Sequence, residues 1–173
     1  MGDQARTKDN RLAEAELLYE VRLMTEDDIP QVCHLEKISF AQPWSEFAFR
    51  SELADNKLAY YAVLVPKEEP EKVVGYGGLW IILDEAHITN IAVLPEYRGK
   101  RLGHLLVATL QDLARLKGAV RMTLEVRVSN DSAIRLYERL GFKEEGIRRH
   151  YYTDNNEDAS IMWCQLTEQE EKQ

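Results

Sequence analysis

The sequence predicts a single α+β domain built on a mostly antiparallel sheet that contains one splayed parallel pair. The hydrophobic pattern changes along the chain in the order strand, two helices, three strands, helix, strand, helix and two strands. A helical pattern at 102–117 joins the predicted strands 86–93 and 122–128, and such a strand–helix–strand unit implies locally parallel strands. The length of 173 residues, 45% of them hydrophobic, suits one domain with a substantial core.

The first half of the chain predicts a strand, two helices and a meander. Alternating apolar and polar residues predict a strand at 19–24, and Thr25 then offers an N-cap to a mostly apolar helix. A loop at 40–44 contains a proline and precedes a short helix at 45–53. Polar turns separate three further strands, which predicts antiparallel pairing. These strands are 58–65, 73–82 and 86–93.

The second half predicts two helices, each followed by strands. Leucines recur at helical spacing in 102–117, and Gly118 suits the position just after a helix end. A strand at 122–128 leads into a helix at 130–140, which Gly141 terminates in the same way. The last two strands, 142–152 and 160–165, flank a polar turn.

The termini and the cysteines set the expected boundaries and compartment. Residues 1–18 predict a polar leader that is frayed or forms a loose helix, 19–166 the domain, and 167–173 a polar tail. No apolar run approaches the ~18 residues that span a bilayer, and the N-terminus lacks a signal core. Cys33 and Cys164 are far apart, which favours a reducing compartment over a disulfide framework. We therefore expect a cytoplasmic protein without a membrane partner.

The charge balance excludes some partners. A net charge of −8 argues against broad nucleic-acid binding, which needs a basic field. It fits a cationic amine or a basic peptide, although solubility alone accounts for it equally well. The four histidines show no metal-ligand spacing, so no metal is expected; they are His34, His87, His104 and His150.

The segment 90–104 (N-I-A-V-L-P-E-Y-R-G-K-R-L-G-H) predicts an anion site. A strand ends there, Pro95 interrupts the ladder, and a short basic loop with glycine opens a helix. Backbone N–H groups and the helix dipole at such a junction suit a pyrophosphate. Arg98, Lys100 and Arg101 add positive charge. A basic loop that merely caps a surface helix remains the alternative.

The segment 124–142 predicts a carboxylate and a phenol beside one cleft. Glu125 points to the opposite face of its strand from Leu124 and Val126, and Tyr137 follows 12 residues later on an apolar helix stripe. The alternative is that Glu125 is solvated or paired with Arg127, and that Tyr137 is a core aromatic.

Together these segments resemble the GNAT superfamily of N-acetyltransferases from about residue 19 to residue 166, and within it the RimI-type ribosomal-protein alanine acetyltransferases. The superfamily features are N-I-A-V at 90–93, the loop 97–103, and 124–130 with 136–142. The narrower likeness rests on F-A-Q-P-W-S at 40–45 and I-R-R-H-Y-Y at 147–152, followed by E-D-A. The resemblance implies the GNAT fold, with helices on both faces of the sheet.

The resemblance also implies acetyl-CoA as cosubstrate and a direct transfer that needs no cysteine. By resemblance Glu125 is the catalytic base, Tyr137 the acid toward the CoA sulfur, and backbone amides near Ile91 and Val93 bind the thioester and pantetheine. Arg101 stands where the loop usually has glycine; if that position needs a positive φ, the arginine costs about 1–2 kcal/mol. The implied cofactor-binding residues are Ile91, Ala92, Val93, Arg98, Gly99, Lys100, Arg101, Leu102, Gly103, His104, Asn130, Ala133 and Tyr137.

For the acceptor, the resemblance points to a peptide groove walled by the loop with Phe40, Pro43 and Trp44 and by a hairpin with Tyr151 and Tyr152. Packing under a helix–helix loop is the alternative for Phe40 and Trp44. Strand alternation predicts that only one of the two tyrosines faces the groove. An acidic rim would suit a basic N-terminal segment; its candidates are Glu36, Glu157 and Asp158.

Three function classes follow from these observations. The first is an acetyltransferase for the α-amine of a ribosomal protein that begins with alanine and has a basic or neutral N-terminus. The second is a small-molecule amine acetyltransferase on the same fold. The third is a non-catalytic acyl-CoA-binding module, which the joint presence of Glu125 and Tyr137 disfavours. A monomer or weak dimer without direct nucleic-acid contact is expected.

Overall fold

The computed structural model describes residues 2–167 and contains five α-helices and seven strands in that range. Of the predicted tail at 167–173, residues 168–173 lie outside the described residues. In chain order the elements are α1 (Gly2–Leu18), β1 (Tyr19–Leu23), α2 (Ile29–Ser39), α3 (Glu46–Asp55), β2 (Ala59–Pro66), β3 (Gly75–Ile82), β4 (Glu85–Val93), α4 (Leu102–Leu116), β5 (Arg121–Arg127), α5 (Asp131–Arg139), β6 (Lys143–Tyr152) and β7 (Glu157–Gln165).

The seven strands form one sheet in the order β1-β2-β3-β4-β5-β7-β6. Every neighbouring pair is antiparallel except β4 and β5, which are parallel. The predicted α+β class and its single parallel pair are therefore confirmed. The crossover through α4 is what makes this pair parallel, as expected for a strand–helix–strand unit.

The parallel pair separates soon after it begins. Pairing of β4 with β5 runs only from Glu85↔Arg121 to His87↔Thr123. Two residues further along β4, the register with β3 shifts, so that Thr89 is an extra residue opposite the Gly78–Leu79 step. A bulge of this kind bends the strand that carries it. The last part of β4 therefore diverges from β5 and leaves a gap in the middle of the sheet.

Two hydrophobic cores cover the two faces of the sheet. On one face α4 and α5 pack over β3, β4 and β5, with Leu110 and Tyr137 among the buried residues. On the other face α2 and α3 pack over β2 and β3, where Phe49 and Tyr76 are buried. Cys164 belongs to the first core and Cys33 to the second, so the sheet lies between the two thiols.

The predicted leader forms a helix that packs against the domain. Ala15 of α1 is buried in a small cluster with Leu64, Val74 and Leu102. A small side chain at this position lets α1 approach α4 closely. The division into leader, domain and tail stays a prediction.

Most element boundaries agree with the sequence pattern to within two residues. Two starts differ by three residues. Thr25 precedes a 3-10 turn at Glu26–Asp28, so α2 begins only at Ile29 with Asp28 as its N-cap. Strand β7 begins at Glu157 rather than at residue 160. Its first residues are polar, but they pair with neighbouring strands, at Tyr152↔Glu157 and Arg127↔Ala159. Cross-strand pairing thus extends the strand beyond its hydrophobic part. No helix in the described range is long and apolar enough to cross a membrane.

Candidate active site

A cleft of about 1440 Å³ opens where β4 and β5 separate. It runs from the start of α4, past the gap, to the α2–α3 loop and the β6–β7 hairpin. Most of the residues predicted from the sequence line it. They are Phe40, Trp44, Ile91, Ala92, Val93, Arg98, Gly99, Arg101, Leu102, Gly103, His104, Glu125, Asn130, Ala133, Tyr137, Tyr151 and Tyr152.

Two predicted site residues do not line this cleft. The ammonium of Lys100 lies 5.0 Å from the ring centroid of Tyr97, and Lys100 lines a separate hollow of about 400 Å³ beside α1. Pro43 is exposed on the α2–α3 loop, outside the cleft lining. Neighbouring side chains in a loop point in different directions, so these two lie outside the cleft lining, and their contact with cofactor or acceptor stays a prediction.

The loop before α4 has the backbone geometry of an anion site. Gly99 has φ +77° and Arg101 has φ +64°, both in the left-handed region, and α4 begins at the next residue. The first N–H groups of α4 have no partner within the helix, and they open onto the cleft. Arg101 therefore occupies the positive-φ position where related loops use glycine. The strain anticipated from the sequence is present.

The free edge of β4 directs backbone groups into the gap. The N–H of Leu94 donates to the carbonyl of Val74 at 2.9 Å, which fixes that residue toward β3. Because successive residues alternate in direction, Ala92 also faces β3, whereas Ile91 and Val93 face the gap. The carbonyl of Val93 accepts a hydrogen bond from Nε of Arg98 at 3.0 Å, on the gap side. The predicted amide donors thus point to the cleft.

Several buried polar atoms along the cleft have no hydrogen-bond partner within the described chain. Four such atoms belong to residues that line it: Oγ of Ser39, Oγ1 of Thr89, Oδ1 of Asn90 and Nδ1 of His104. Burial, with the nearby charge of Arg101, lowers the pKa of His104, so its ring stays neutral. Unsatisfied buried polar groups call for a ligand or water. Together with the loop cations, they fit the polar arm and phosphates of acetyl-CoA.

Asn130 has a structural role that the sequence analysis did not anticipate. Its Oδ1 accepts a hydrogen bond from the N–H of Ala133 at 3.2 Å, which caps the start of α5. An asparagine preceding a helix is a common N-cap, so the signal was present in the sequence. The capped helix carries Tyr137 about two turns further on.

Glu125 is held by two basic side chains that come from β4 and from β6, on opposite sides of its own strand. Its Oε2 lies 2.6 Å from Nε2 of His87 on β4, and its Oε1 lies 3.3 Å from a guanidinium nitrogen of Arg148 on β6. The hydrogen bond from His87 lowers the pKa of Glu125; burial opposes this, and the charges of His87 and Arg148 lower the pKa further. The alternative in which Glu125 pairs with Arg127 is wrong, because Arg127 pairs with Asp154 and Glu157.

Tyr137 reaches the same cleft from the opposite face of the sheet. It packs 5.7 Å from the ring of Phe142 and is 8% exposed, yet it lines the cleft. Burial raises its pKa, so the phenol keeps its proton. Glu125 points away from the core that contains Leu124, whereas Tyr137 belongs to that core. The gap between β4 and β5 is what brings both groups to one cleft.

Glu36 is a buried support of the acceptor loop, not part of an acidic rim. Its carboxylate accepts the backbone N–H of Trp44 at 2.8 Å, the amide of Asn90 at 3.3 Å and the hydroxyl of Tyr76. The residue is fully buried, and burial raises its pKa. Trp44 in turn packs 5.6 Å from Phe49. The loop therefore both packs on the core and lines the cleft.

Both tyrosines of the hairpin line the cleft, so the expectation that only one would do so is wrong. The register of β6 with β7 shifts between Arg148 and Tyr152, and His150 has φ +54°. This irregularity breaks the alternation of side chains. The rings of Tyr151 and Tyr152 meet edge to face at 5.1 Å.

Arg127 anchors the hairpin and was missed as a site residue. It pairs with Asp154 at 2.8 Å and with Glu157 at 3.1 Å, and its guanidinium lies 3.9 Å from the ring centroid of Tyr152. Hydrogen bonds from Ser129, Asn155 and Arg127 lower the pKa of Glu157 to about 2.

The two walls of the cleft also meet directly. The amide of Gln42, in the α2–α3 loop, donates to the hydroxyl of Thr153 at 3.0 Å across 111 residues of chain. Asp158, the third candidate for the rim, accepts the backbone N–H of His150 at 2.8 Å. Glu157 and Asp158 thus fold the hairpin, and the predicted acidic rim is absent at all three positions.

The chain resembles known acetyltransferases. A sequence model of the acetyltransferase (GNAT) family matches residues 29–142. A Bacillus subtilis protein provisionally named a ribosomal protein bS18-alanine N-acetyltransferase is 47% identical over 148 residues, covering 86% of this chain and 96% of the relative. The ribosomal protein bS18-alanine N-acetyltransferase of Escherichia coli K12 is 41% identical over 137 residues, covering 78% and 89%. The crystal structure of the Escherichia coli ribosomal-protein-S18-alanine N-acetyltransferase has a TM-score of 0.78 and 36% identity, covering 90% of this chain and 99% of that one.

Proposed function

The chain belongs to the GNAT family of acetyltransferases, and from this membership we propose that it acetylates the α-amine of a ribosomal protein that begins with alanine. It is an acetyl-CoA-dependent N-acetyltransferase rather than a non-catalytic binding module. The observation that carries the proposal is a single cleft in which an anion-binding loop, the free edge of β4, Glu125, Tyr137 and an aromatic acceptor wall come together. The names of two relatives point to bS18 as the acceptor to test.

The donor side of the cleft suits acetyl-CoA, which supplies the acetyl thioester. The start of α4 and the cations Arg98 and Arg101 would hold the diphosphate. The amides of Ile91 and Val93 would donate to the pantetheine and to the thioester oxygen, where negative charge develops during acyl transfer.

Acetyl transfer requires that the acceptor ammonium loses a proton and that the departing CoA thiolate gains one. An α-ammonium ordinarily has a pKa near ~8, so removing its proton at neutral pH is a modest demand. We propose that the negative charge of the Glu125 carboxylate favours removal of this proton. The lowered pKa of Glu125 keeps the carboxylate ionised. Tyr137 keeps its proton because it is buried, and it would donate a hydrogen bond to the sulfur as the thiolate forms.

The acceptor side favours a chain terminus over a small amine. Phe40, Trp44, Tyr151 and Tyr152 form aromatic walls on both sides of the entrance. The contact between Gln42 and Thr153 ties these walls together, so the entrance is bounded on several sides. A peptide N-terminus entering lengthwise would contact all of them, whereas a short polyamine would leave most of this surface uncovered.

The acceptor test compares three amines under the same conditions. The substrates are the N-terminal peptide of bS18, the same peptide with a blocked N-terminus and an added lysine, and spermidine. We expect acetylation of the first only, located at the α-nitrogen by mass spectrometry. Preferential acetylation of the lysine side chain or of spermidine would contradict the proposal.

The roles of the two site residues have their own test. Glu125→Gln should lower kcat by about 10²–10⁴-fold, most strongly at low pH, where more of the amine is protonated. Tyr137→Phe should lower kcat with little change in the Kd for acetyl-CoA. Glu145→Gln and Tyr60→Phe, outside the cleft, serve as matched controls. Wild-type turnover in both site variants would make the assignment wrong.

The cytoplasmic location, the lack of a metal, nucleic-acid or membrane partner, and the monomeric or weakly dimeric state stay predictions.

A further inference from the structure

His87 lies at the apex of the gap between β4 and β5. Its pair with Thr123 is the last one before the two strands separate. Its side chain is 36% exposed and lines the cleft, whereas that of Glu125 is 9% exposed. The 2.6 Å contact between Nε2 and Oε2 therefore joins an accessible imidazole to a largely buried carboxylate.

A carboxylate in this setting is a poor direct acceptor for an ammonium proton. Glu125 already has two basic partners, and their contacts hold its pKa below the ordinary range. A proton transfer becomes about tenfold less favourable for each unit by which the pKa of the acceptor lies below that of the donor. Imidazole is the side chain that enzymes use most often as a general acid or base. The contact geometry also leaves little of Glu125 exposed to an incoming amine.

We propose that His87 is the group that takes the proton from the acceptor ammonium, and that Glu125 positions and charges its ring. This inference rests on the proposed function and specifies the proton route within the same site. With Nε2–H donating to Glu125, Nδ1 is the nitrogen free to accept a proton; no hydrogen bond to it occurs in the described range. A carboxylate that accepts a hydrogen bond from one ring nitrogen orients the imidazole, so that the other nitrogen can act as the base.

The proton balance is complete with the groups present. The ammonium gives one proton to Nδ1 of His87, and Glu125 stabilises the imidazolium until that proton passes to solvent. The amine nitrogen then forms its bond to the acetyl carbon as the carbon–sulfur bond breaks. The second nitrogen proton reaches the sulfur by way of Tyr137, which gives up its own proton and regains one. The products are the acetylated amine, free CoA and one proton.

The test separates proton transfer from simple support of Glu125. His87→Gln keeps an N–H donor for Glu125 but provides no base, and His87→Ala removes both. We expect both variants to lose about 10²-fold or more in kcat. The Kd for acetyl-CoA and the KM for the bS18 peptide should change by less than a factor of about three. Free imidazole should restore turnover of His87→Ala at least about tenfold, but not that of Glu125→Gln. His34→Gln, an exposed histidine outside the cleft, is the matched control.

Two outcomes would overturn the inference. If His87→Gln turns over within about threefold of wild type, His87 only supports Glu125. If imidazole fails to restore His87→Ala, the ring does not carry the proton. Failure of the wild-type protein to acetylate the bS18 peptide would instead refute the proposed function. Calorimetric binding of acetyl-CoA by each variant shows that its fold is intact.

Discussion

The two sides of the cleft are built in different ways. The donor side is formed mainly by one continuous segment, 90–104, with Tyr137 of α5 beside it. The binding groups that we infer there are chiefly backbone N–H groups, set by a strand edge, two left-handed residues and a helix start. The acceptor side is assembled from the α2–α3 loop, the β6–β7 hairpin and the end of β5. Side-chain contacts hold these parts together, through Glu36, Arg127 and Gln42. Substitutions of the side chains that hold the acceptor side together should therefore weaken peptide binding more than acetyl-CoA binding.

The strongest test of this difference is Glu36→Ala. It leaves the N–H of Trp44 and the hydroxyl of Tyr76 buried without an acceptor, which should lower the free energy of unfolding by about 3 kcal/mol. The KM for peptide should rise by a larger factor than the Kd for acetyl-CoA, because on the donor side only the long hydrogen bond from Asn90 is lost. Denaturant unfolding and calorimetry measure both. Glu36→Gln, which keeps an acceptor oxygen, is the control and should cost less. An equal rise in the acetyl-CoA Kd would show that the two sides are not independent.

Arg101→Gly tests the donor side. It relieves the left-handed strain, so the free energy of unfolding should rise by up to about 1 kcal/mol. It also removes a cation from the cleft, so the Kd for acetyl-CoA should rise about tenfold. Lys100→Ala is the control in the same loop, and its Kd should stay within about twofold of wild type because Lys100 faces Tyr97. If Lys100→Ala raised the Kd for acetyl-CoA more than Arg101→Gly does, the placement of these two side chains relative to the cleft would be contradicted.

Gln42→Ala should have a smaller effect, confined to the acceptor side. Loss of one exposed hydrogen bond to Thr153 is expected to raise the peptide KM about threefold and to leave the acetyl-CoA Kd unchanged. Thr153→Val should match it, and the double variant should add nothing, because both remove the same contact. Additive effects in steady-state kinetics would mean that the two side chains act separately.

The smallest expected effect appears only in acid. The folded-state pKa of Glu157 is about 2, below its ordinary 4.5, so its contribution to stability is complete above the ordinary value and is lost as the pH falls toward 2. Glu157→Gln should therefore lose less stability than wild type between about pH 5 and about pH 3. Denaturant unfolding at the two values measures this, with Asp131→Asn on α5 as a control. An equal loss of stability in wild type and in Glu157→Gln would show that the ionised Glu157 does not stabilise the hairpin.

Much of the fold was predictable because the relevant signals are local. The period of the hydrophobic residues identified the strands and helices, and the helix at 102–117 between two strands implied the parallel pair. Loop chemistry next to that helix indicated the anion site. Lys100 and Pro43 mark the limit of this reasoning, because a motif names neighbouring residues without saying which way each side chain points.

The contacts that complete the acceptor side could not be predicted from local sequence signals. Glu36 looked like a surface acid, yet it is buried by partners 40 and 54 residues away. Both hairpin tyrosines reach the cleft because of a register shift that no local pattern announces. His87 gained its significance only from Glu125, 38 residues later in the chain.

By itself, then, the amino-acid order determined which segments are strands and helices and to which family the protein belongs, and it predicted a diphosphate site at the loop before α4. The tertiary structure alone decided the splitting of β4 from β5, the partners of each charged side chain and the pairing of His87 with Glu125. The physical reason is range. Periodicity, capping and turn geometry act over a few residues, whereas burial and ion pairing depend on groups that only folding brings together.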